Sequence, residues 1–377
     1  TCAVRAHAEH RVRSILGSFK KIFKLNTHDS RLNTKRIIGL IGCMARSTGK
    51  DIFEKMPHVD LIVSPSNLHK IPDYVEKIIN SSRSTSHVLR PSERSERTSF
   101  VHRNLRIIDL EDNERVEGFY SASYRAKPGS AQVVISTGCS NYCSYCVVPY
   151  VRDELRLRRP RDIIAEVKRN VVLGRTKITL LGQNVNDYKY RNTSHVTGNT
   201  FKNVIRDTCD VRHVQVVTFV DLLKMVEVVD GVEQIDFLTP HPKNTSKELL
   251  KLMAKSKKIV KYLHLPYQSG SDRILKLMHR GYTRKEYLTL VEDYKNIVGG
   301  TVGTDIIVGF PTETDEDFNH TKEVLEKARF MGAYIFKYSP RPGTAAARLE
   351  DDVPQKVKEK RHNILLELQK EISRGNK

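Results

Sequence analysis

Residues 136–150 read STGCSNYCSYCVVPY and place Cys139, Cys143 and Cys146 four and three positions apart. Three close thiolates suit a metal, yet they leave a tetrahedral ion or a four-iron cluster one protein ligand short. A structural zinc site brings a second Cys or His pair, and none follows Cys146 at a suitable spacing. Two-cluster ferredoxins use tighter runs with a fourth cysteine. Three thiolates can also hold three irons of a four-iron cluster, leaving the fourth iron open to an exogenous chelating ligand.

Such a loop needs a strand behind it, and the flanking sequence supplies a series of them. AQVVIST, KITLLGQN, QIDFLT, YLHLPY, VGTDIIVGF and GAYIFKYS are short β-rich runs, mostly separated by helical patterns. Thr283 with Glu286, and Thr314 with Asp317, have the spacing of helix-capping boxes. Gly174, Gly299 and Gly332 fall where helices should end in a left-handed residue. Six βα units between residues 130 and 350 are two short of a closed eightfold barrel, so the expectation is α/β with a partial (β/α)6 barrel. Ligands of such sheets gather at the strand C-termini, where the cysteine loop lies.

Upstream, the apolar stripe from Ala8 to Phe23 predicts an amphipathic helix, and RIIGLIGC and DLIVSPS predict parallel strands followed by helices. Residues 1–80 therefore read as an N-terminal α/β domain, incomplete at its start, with Cys43 at a strand end. Residues 81–129 begin with a Ser/Arg-rich tract and read as a linker and connection. A polar stretch without periodicity predicts a surface insertion over 188–215, within which Cys209 is an incidental thiol. Residues 351–377 hold a final helix opened by Pro354, with Ile364, Leu365, Leu368 and Ile372 on one face.

Of 377 residues, 64 are Lys or Arg against 44 Asp or Glu, giving a formal charge of +20. That balance suits a polyanionic partner through counterion release at phosphates. Six unevenly spaced cysteines do not form the disulfide framework of a small secreted domain, and a reducing compartment is expected. No apolar run reaches the length of a membrane span, so no membrane partner is expected.

The cysteine spacing, with Tyr145 just before the last cysteine, resembles the signature of the radical S-adenosylmethionine (SAM) superfamily. The segments TCAVRAHAEHRV, GCMARSTGKDIFEKMPHVDLIVSPSNLHKIP, LLGQNVNDY, PHPKN, HLPYQSGSDRILKLMHRGYTRKEY, GTDIIVGFPTETDEDF and KYSPRPGTAAA resemble the methylthiotransferase family over nearly the whole chain. LLGQNVN and SPRPGT are similar to its MiaB type, which adds a methylthio group to C2 of N6-isopentenyladenosine beside the tRNA anticodon. The insertion is similar to the eukaryotic branch, the mitochondrial cyclin-dependent-kinase-five regulatory-subunit-associated proteins.

The resemblance implies two [4Fe–4S] clusters and SAM. Cys139, Cys143 and Cys146 would hold the cluster that reduces SAM, whose amino and carboxylate groups would chelate the open iron. Cys2 and Cys43 would hold an auxiliary cluster, with its third cysteine expected upstream of Thr1. Position and resemblance together assign Tyr145, Gly182, Gln183, Asn184, Gln268, Ser269, Asp305, Gly309 and Glu313 to SAM. Arg280, Arg284, Lys337 and Arg341, near the mouth, suit tRNA phosphates. His241, between two prolines, reads either as a base or ligand or as a loop-ordering group. The implied partners are a tRNA anticodon stem-loop and a flavodoxin- or ferredoxin-like electron donor, the implied state a monomer, and the implied compartment the mitochondrion, with the cytoplasm as alternative.

Three departures from the family pattern stand out. The loop after VVPY reads VRDELRLRRP, with Asp153 where a Gly is usual; Asp236 stands where relatives tend to have Arg; and the C-terminal RNA-binding TRAM domain is expected but not present. Other readings remain open at this stage: methylthiolation of threonylcarbamoyladenosine in tRNA or of a ribosomal-protein aspartate, or a truncated, non-catalytic regulatory or binding protein.

Overall fold

A computed structural model of the chain describes residues 11–19, 37–83, 105–111, 128–152, 154–191 and 216–375. The chain divides into two compact units, residues 1–119 with 150–152, and residues 120–149 with 153–377.

In the first unit, strands β1 (Gly39–Ile41), β2 (Leu61–Val63) and β3 (Ile107–Asp109) form a parallel sheet in that order. Helix α1 (11–19), α2 (Cys43–Lys55) and α3 (Ile71–Arg83) accompany it. Leu16 of α1 and Met44, Ala45 and Ile52 of α2 pack with Ile38, Leu40, Val59 and Ile62 in one apolar cluster. Strand β3 lies inside the stretch read as linker. Its three residues give too little periodicity to recognise, and partners distant in sequence hold it: Asn67 donates to the Asp109 carboxylate at 2.7 Å, and the Tyr74 hydroxyl donates to it as well. The tract 84–104 lies outside the described residues.

The second unit contains the six expected strands: β4 (Ser130–Val134), β5 (Lys177–Leu181), β6 (Gln234–Phe237), β7 (Tyr262–His264), β8 (Thr301–Val308) and β9 (Gly332–Lys337). All pair in parallel, β4 with β5, β5 with β6, β7 with β8 and β8 with β9. A single bridge, Ile235 with Ile259, joins the two three-stranded halves. Parallel strands each followed by a helix must cover the sheet with those helices. Here they are α4 (Pro160–Val172), α5 (Phe219–Glu227), α6 (Lys247–Lys255), α7 (Asp272–Leu277), α8 (Arg284–Val298), α9 (Asp315–Ala328) and α10 (Gln355–Gly375). Strand β8 shows the resulting alternation: Val302, Thr304, Ile306 and Val308 are buried, while Asp305 and Ile307 on the other face are only half-buried.

The capping boxes at Thr283 and Thr314 form, and a third joins Thr218 to Asp221 at the start of α5. Gly174 and Gly299 are left-handed, with φ of 73° and 67°. Gly332 corrects the expectation: it begins β9, and the left-handed residue ending α9 is Arg329, with φ of 43°. The helix stops three residues earlier than the glycine suggests. Of the insertion, residues 192–215 lie outside the described residues, but its ends pair as a short antiparallel ladder, Lys189–Arg191 with Val216–Thr218.

Helix α10 buries Leu365 and Ile372 as expected, whereas Ile364 is exposed. The same face carries buried polar groups instead: Lys358, Arg361 and Gln369. Arg361 donates to the Glu313 carboxylate at 2.7 Å and to Asp315 at 2.7 Å, and Gln369 donates to the carbonyl of Phe330 at 3.0 Å. Among the described residues no helix is long and apolar enough to cross a membrane.

Candidate functional site

The cysteine loop leaves β4 at Ile135 and is closed by a two-residue antiparallel ladder, Ser136–Thr137 with Arg156–Leu157. Gly138 and Tyr142 adopt left-handed φ, which turns the chain sharply on either side of Cys139. The amide of Cys146 donates to the carbonyl of Cys143 at 2.9 Å. Ser144 anchors the loop from both sides, donating to the carbonyl of Met278 at 3.1 Å and accepting from the amide of Ala346 at 2.7 Å. Tyr145 packs beside Ile274, Met278, Phe310 and Tyr338.

The thiols share one electrostatic environment. Burial raises Cys139, countered by the amide of Asn141, and pushes Cys146 up to about 12, with the neighbouring Cys143 and Cys139 adding to the rise. Without a metal, Cys139 and Cys146 are held in their thiol form; a bound metal would deprotonate them outright. Among the described residues no three His, Cys, Asp or Glu side chains already stand in a metal-ligating arrangement. The donor types, their spacing in sequence and the loop anchoring fit an iron–sulfur cluster, which Cys139, Cys143 and Cys146 would hold.

Beside the loop, β5 ends in Gly182, Gln183 and Asn184. A Cβ on Gly182 would stand 2.4 Å from the Ser136 hydroxyl, so only glycine lets the two strand ends approach this closely. Asn184 is 2% exposed, yet neither its amide nitrogen nor its oxygen has a hydrogen-bond partner. The Gln183 oxygen and the Ser136 hydroxyl are also buried and unpaired. An unmet buried polar group costs about 1–3 kcal/mol, so a cluster of them at strand ends fits a polar ligand such as the amino-acid part of SAM.

The remaining residues assigned to SAM are held by the protein itself. Gln268, with φ of 70°, continues the β7–β8 pairing through its backbone, and its side chain is largely buried. The Ser269 hydroxyl is within 3.5 Å of the Thr321 hydroxyl and accepts from the amide of Ser271 at 3.3 Å. The Glu313 carboxylate accepts from the amide of Gly309 at 2.7 Å and from Arg361, although one of its oxygens stays unpaired. Burial pushes Glu313 up to about 7 against the pull of the Gly309 amide and Arg361. Gly309 and Glu313 close the turn after β8 and bind α10, which uses most of the hydrogen-bonding capacity of the Glu313 carboxylate. Asp305 pairs instead with His264, whose Nε2 is 3.1 Å from the carboxylate. The Tyr262 hydroxyl lies 3.3 Å from His264 Nδ1, so one neutral tautomer donates to Asp305 and accepts from Tyr262. Sequence reasoning missed this triad, although alternation alone puts Tyr262 and His264 on one face.

The four basic residues expected at the mouth also separate. Arg280 is 4% exposed and faces the cysteine loop, which corrects its reading as a phosphate contact. Lys337 pairs with Glu359 of α10 at 3.3 Å, and Arg284 with Glu323 at 3.4 Å, so both are engaged on the helical layer. Arg341 is half-buried, and its carbonyl accepts from the Thr344 hydroxyl at 2.8 Å.

His241 orders its loop: Nδ1 accepts from the amide of Lys243 at 3.2 Å, and Asn186 holds its backbone on both sides. Burial, Arg280 and Lys243 pull it down to about 2, so it is neutral. Asp236 is raised by burial and bonds only to the amide of Phe237 at 2.8 Å.

In the first unit, Cys43 opens α2 directly after Gly42, whose φ is 95°. Its buried sulfur accepts from the Arg152 guanidinium at 2.8 Å. Cys2 and Asp153 lie outside the described residues.

Residues 133–325 match the radical SAM superfamily, and residues 1–64 match an uncharacterized protein family, UPF0004. The chain is 39% identical to the tRNA-2-methylthio-N6-dimethylallyladenosine synthase of Clostridium novyi, over 100% of this chain and 73% of that protein. It is 38% identical to the enzyme of the same name from Aquifex aeolicus, over 99% of this chain and 74% of that one. Among solved structures it resembles a radical SAM methyltransferase from Kitasatospora setae containing cobalamin and a [4Fe–4S] cluster, with a TM-score of 0.54 at 14% identity, over 88% of this chain and 62% of that one. At that identity the likeness is one of fold.

Proposed function

Because the chain belongs to the tRNA-2-methylthio-N6-dimethylallyladenosine synthase family of radical SAM enzymes, we propose that it inserts a methylthio group at C2 of N6-dimethylallyladenosine in tRNA. The observation that carries this reading is the anchored Cys139, Cys143 and Cys146 loop beside the unpaired Gln183 and Asn184, in a chain similar to named synthases along its whole length. A [4Fe–4S] cluster held by this loop would supply the electron for reductive SAM cleavage, the radical chemistry that activates the adenine C2–H bond.

The chain's own part is binding, orientation and exclusion of water. Cys139, Cys143 and Cys146 hold the cluster. Gln183 and Asn184 offer a donor and acceptors to the amino-acid end of SAM, and Gly182 leaves the room.

Several finer points belong to the same proposal and rest on the resemblance. Cys2 and Cys43 would contribute to a second cluster that supplies sulfur. The +20 charge supports binding of a tRNA anticodon stem-loop. A flavodoxin- or ferredoxin-like donor, a monomeric state and a mitochondrial location complete it.

Anaerobic reconstitution of the chain with iron and sulfide tests the reading. Two clusters bring about eight irons per chain and one brings about four. The expected outcome is SAM cleavage and, with tRNA bearing N6-dimethylallyladenosine, a nucleoside heavier by one methylthio group in place of hydrogen. Modification of threonylcarbamoyladenosine instead, or cluster-free protein without SAM cleavage, would overturn it.

A further inference from the structure

Arg280 is buried and, among the described residues, has no carboxylate partner. Its Nη1 donates to the Cys143 sulfur at 3.4 Å and to the Tyr145 hydroxyl at 3.4 Å. Its Nε donates to the Tyr282 hydroxyl at 3.0 Å, and its Nη2 to the carbonyl of Pro266 at 2.9 Å. The Tyr282 hydroxyl is itself 2.9 Å from the carbonyl of Tyr267, so the residue that braces the guanidinium is braced in turn. Four N–H groups are thus aimed in fixed directions by a loop, a strand end and a tyrosine.

A buried guanidinium is costly unless an anion faces it. Among the described residues no Asp or Glu pairs with Arg280, and its acceptors other than sulfur are neutral oxygens. The anion that balances it is therefore on the sulfur side. A thiolate ligand, and the net negative charge that a thiolate-held iron–sulfur cluster carries, meet that need.

We infer that Arg280 is a positioning residue that sets the reduction potential of the cluster held by Cys139, Cys143 and Cys146, through its buried charge and its N–H bond to Cys143. The inference rests on the radical SAM reading of this loop. Reduction adds one electron to the cluster, and a fixed neighbouring cation stabilises the added charge; hydrogen bonds to cluster sulfurs and local charge are the terms that move such potentials. Removing the cation makes the cluster harder to reduce. It leaves the ligands, and any surface that contacts tRNA, in place.

The experiment is an anaerobic redox titration of the reconstituted full chain, followed by electron paramagnetic resonance of the reduced cluster, alongside tRNA affinity. Arg280→Gln is expected to lower the reduction equilibrium at least tenfold, a negative shift of about 59 mV for a one-electron couple, with tRNA affinity unchanged. Arg280→Lys keeps the charge but cannot span four acceptors, and its midpoint is expected between those of the wild type and the Gln variant. If Arg280→Gln takes up no cluster, Arg280→Met, uncharged and unable to donate, decides: a wild-type midpoint overturns the inference, and a negative shift upholds it. A wild-type midpoint in Arg280→Gln with weakened tRNA binding returns the residue to a substrate role. If wild-type protein forms no cluster, the functional reading itself fails, which is a different result.

Discussion

The two cysteine regions are built in opposite ways. In the second unit, three cysteines lie within one anchored loop after a parallel strand, and the arginine facing them comes from a distant turn. In the first unit, the described residues contain a single candidate, Cys43, at a helix start, with Arg152 donating to it. A ligand set held by one loop is a local property and folds with that loop. A ligand set drawn from separated segments depends on the whole fold. The first kind tolerates change elsewhere, while the second is exposed to it.

Substituting the two kinds of cysteine separates them most sharply. Cys143→Ala is expected to abolish SAM cleavage and methylthio transfer together, read as loss of 5'-deoxyadenosine. Cys43→Ala should retain 5'-deoxyadenosine formation while losing the methylthio product. Equal loss in both variants would show that the regions do not act independently.

The packing behind the loop comes next. Arg361→Met strands the buried Glu313 carboxylate and should cost about 3–5 kcal/mol in denaturant unfolding of the apo-protein. Iron content per folded molecule should be unchanged. Gly182→Ala places a methyl against Ser136 and should cost about 1–3 kcal/mol in denaturant unfolding through overpacking, with SAM affinity falling roughly tenfold, about 1.4 kcal/mol, by equilibrium binding. The iron content should again stay at the wild-type level, because the substitution touches the ligand pocket and not the cysteines.

The smallest effect concerns pH. His241 is held neutral, with its pKa lowered to about 2 from an ordinary 6.5, chiefly by burial. The unfolded chain therefore takes up a proton below about 6.5 that the folded chain refuses. Its contribution to stability is fully present above that value and falls progressively as the pH drops toward 2. His241→Gln should flatten this dependence between pH 7 and 5 in denaturant titrations of the apo-protein. A slope equal to that of the wild type would show that other groups govern it.

The legibility of each part follows the range of the interactions behind it. The six strands of the second unit were readable because each is a β-rich run bounded by turns, and two capping boxes announced themselves at three-residue spacing. Strand β3 was not, since three residues between unpatterned stretches acquire their identity only by pairing with β2. Gly332 misled because a glycine near a helix end also serves as the first residue of a strand. The faces of α10 were half-read: Leu365 and Ile372 are buried, but the polar Arg361 and Gln369 share their face for reasons that lie at the two ends of α9, Glu313 and Asp315 before and at its start and Phe330 after its end.

For the site, residue type and spacing by themselves pointed to the three-cysteine loop and its place after the first barrel strand, whereas Gly182, Gln183 and Asn184 came from position together with resemblance. The loop and its place are local properties, set by which atoms can ligate iron and how short a loop can present them. Only the tertiary structure decided which polar groups are already spent: Glu313 on Arg361, Asp305 on His264, Lys337 on Glu359. It also moved Arg280 from the solvent to the cysteine loop. A basic side chain carries the same formal charge in either setting, and only the burial and the partners brought by folding say which anion it must meet.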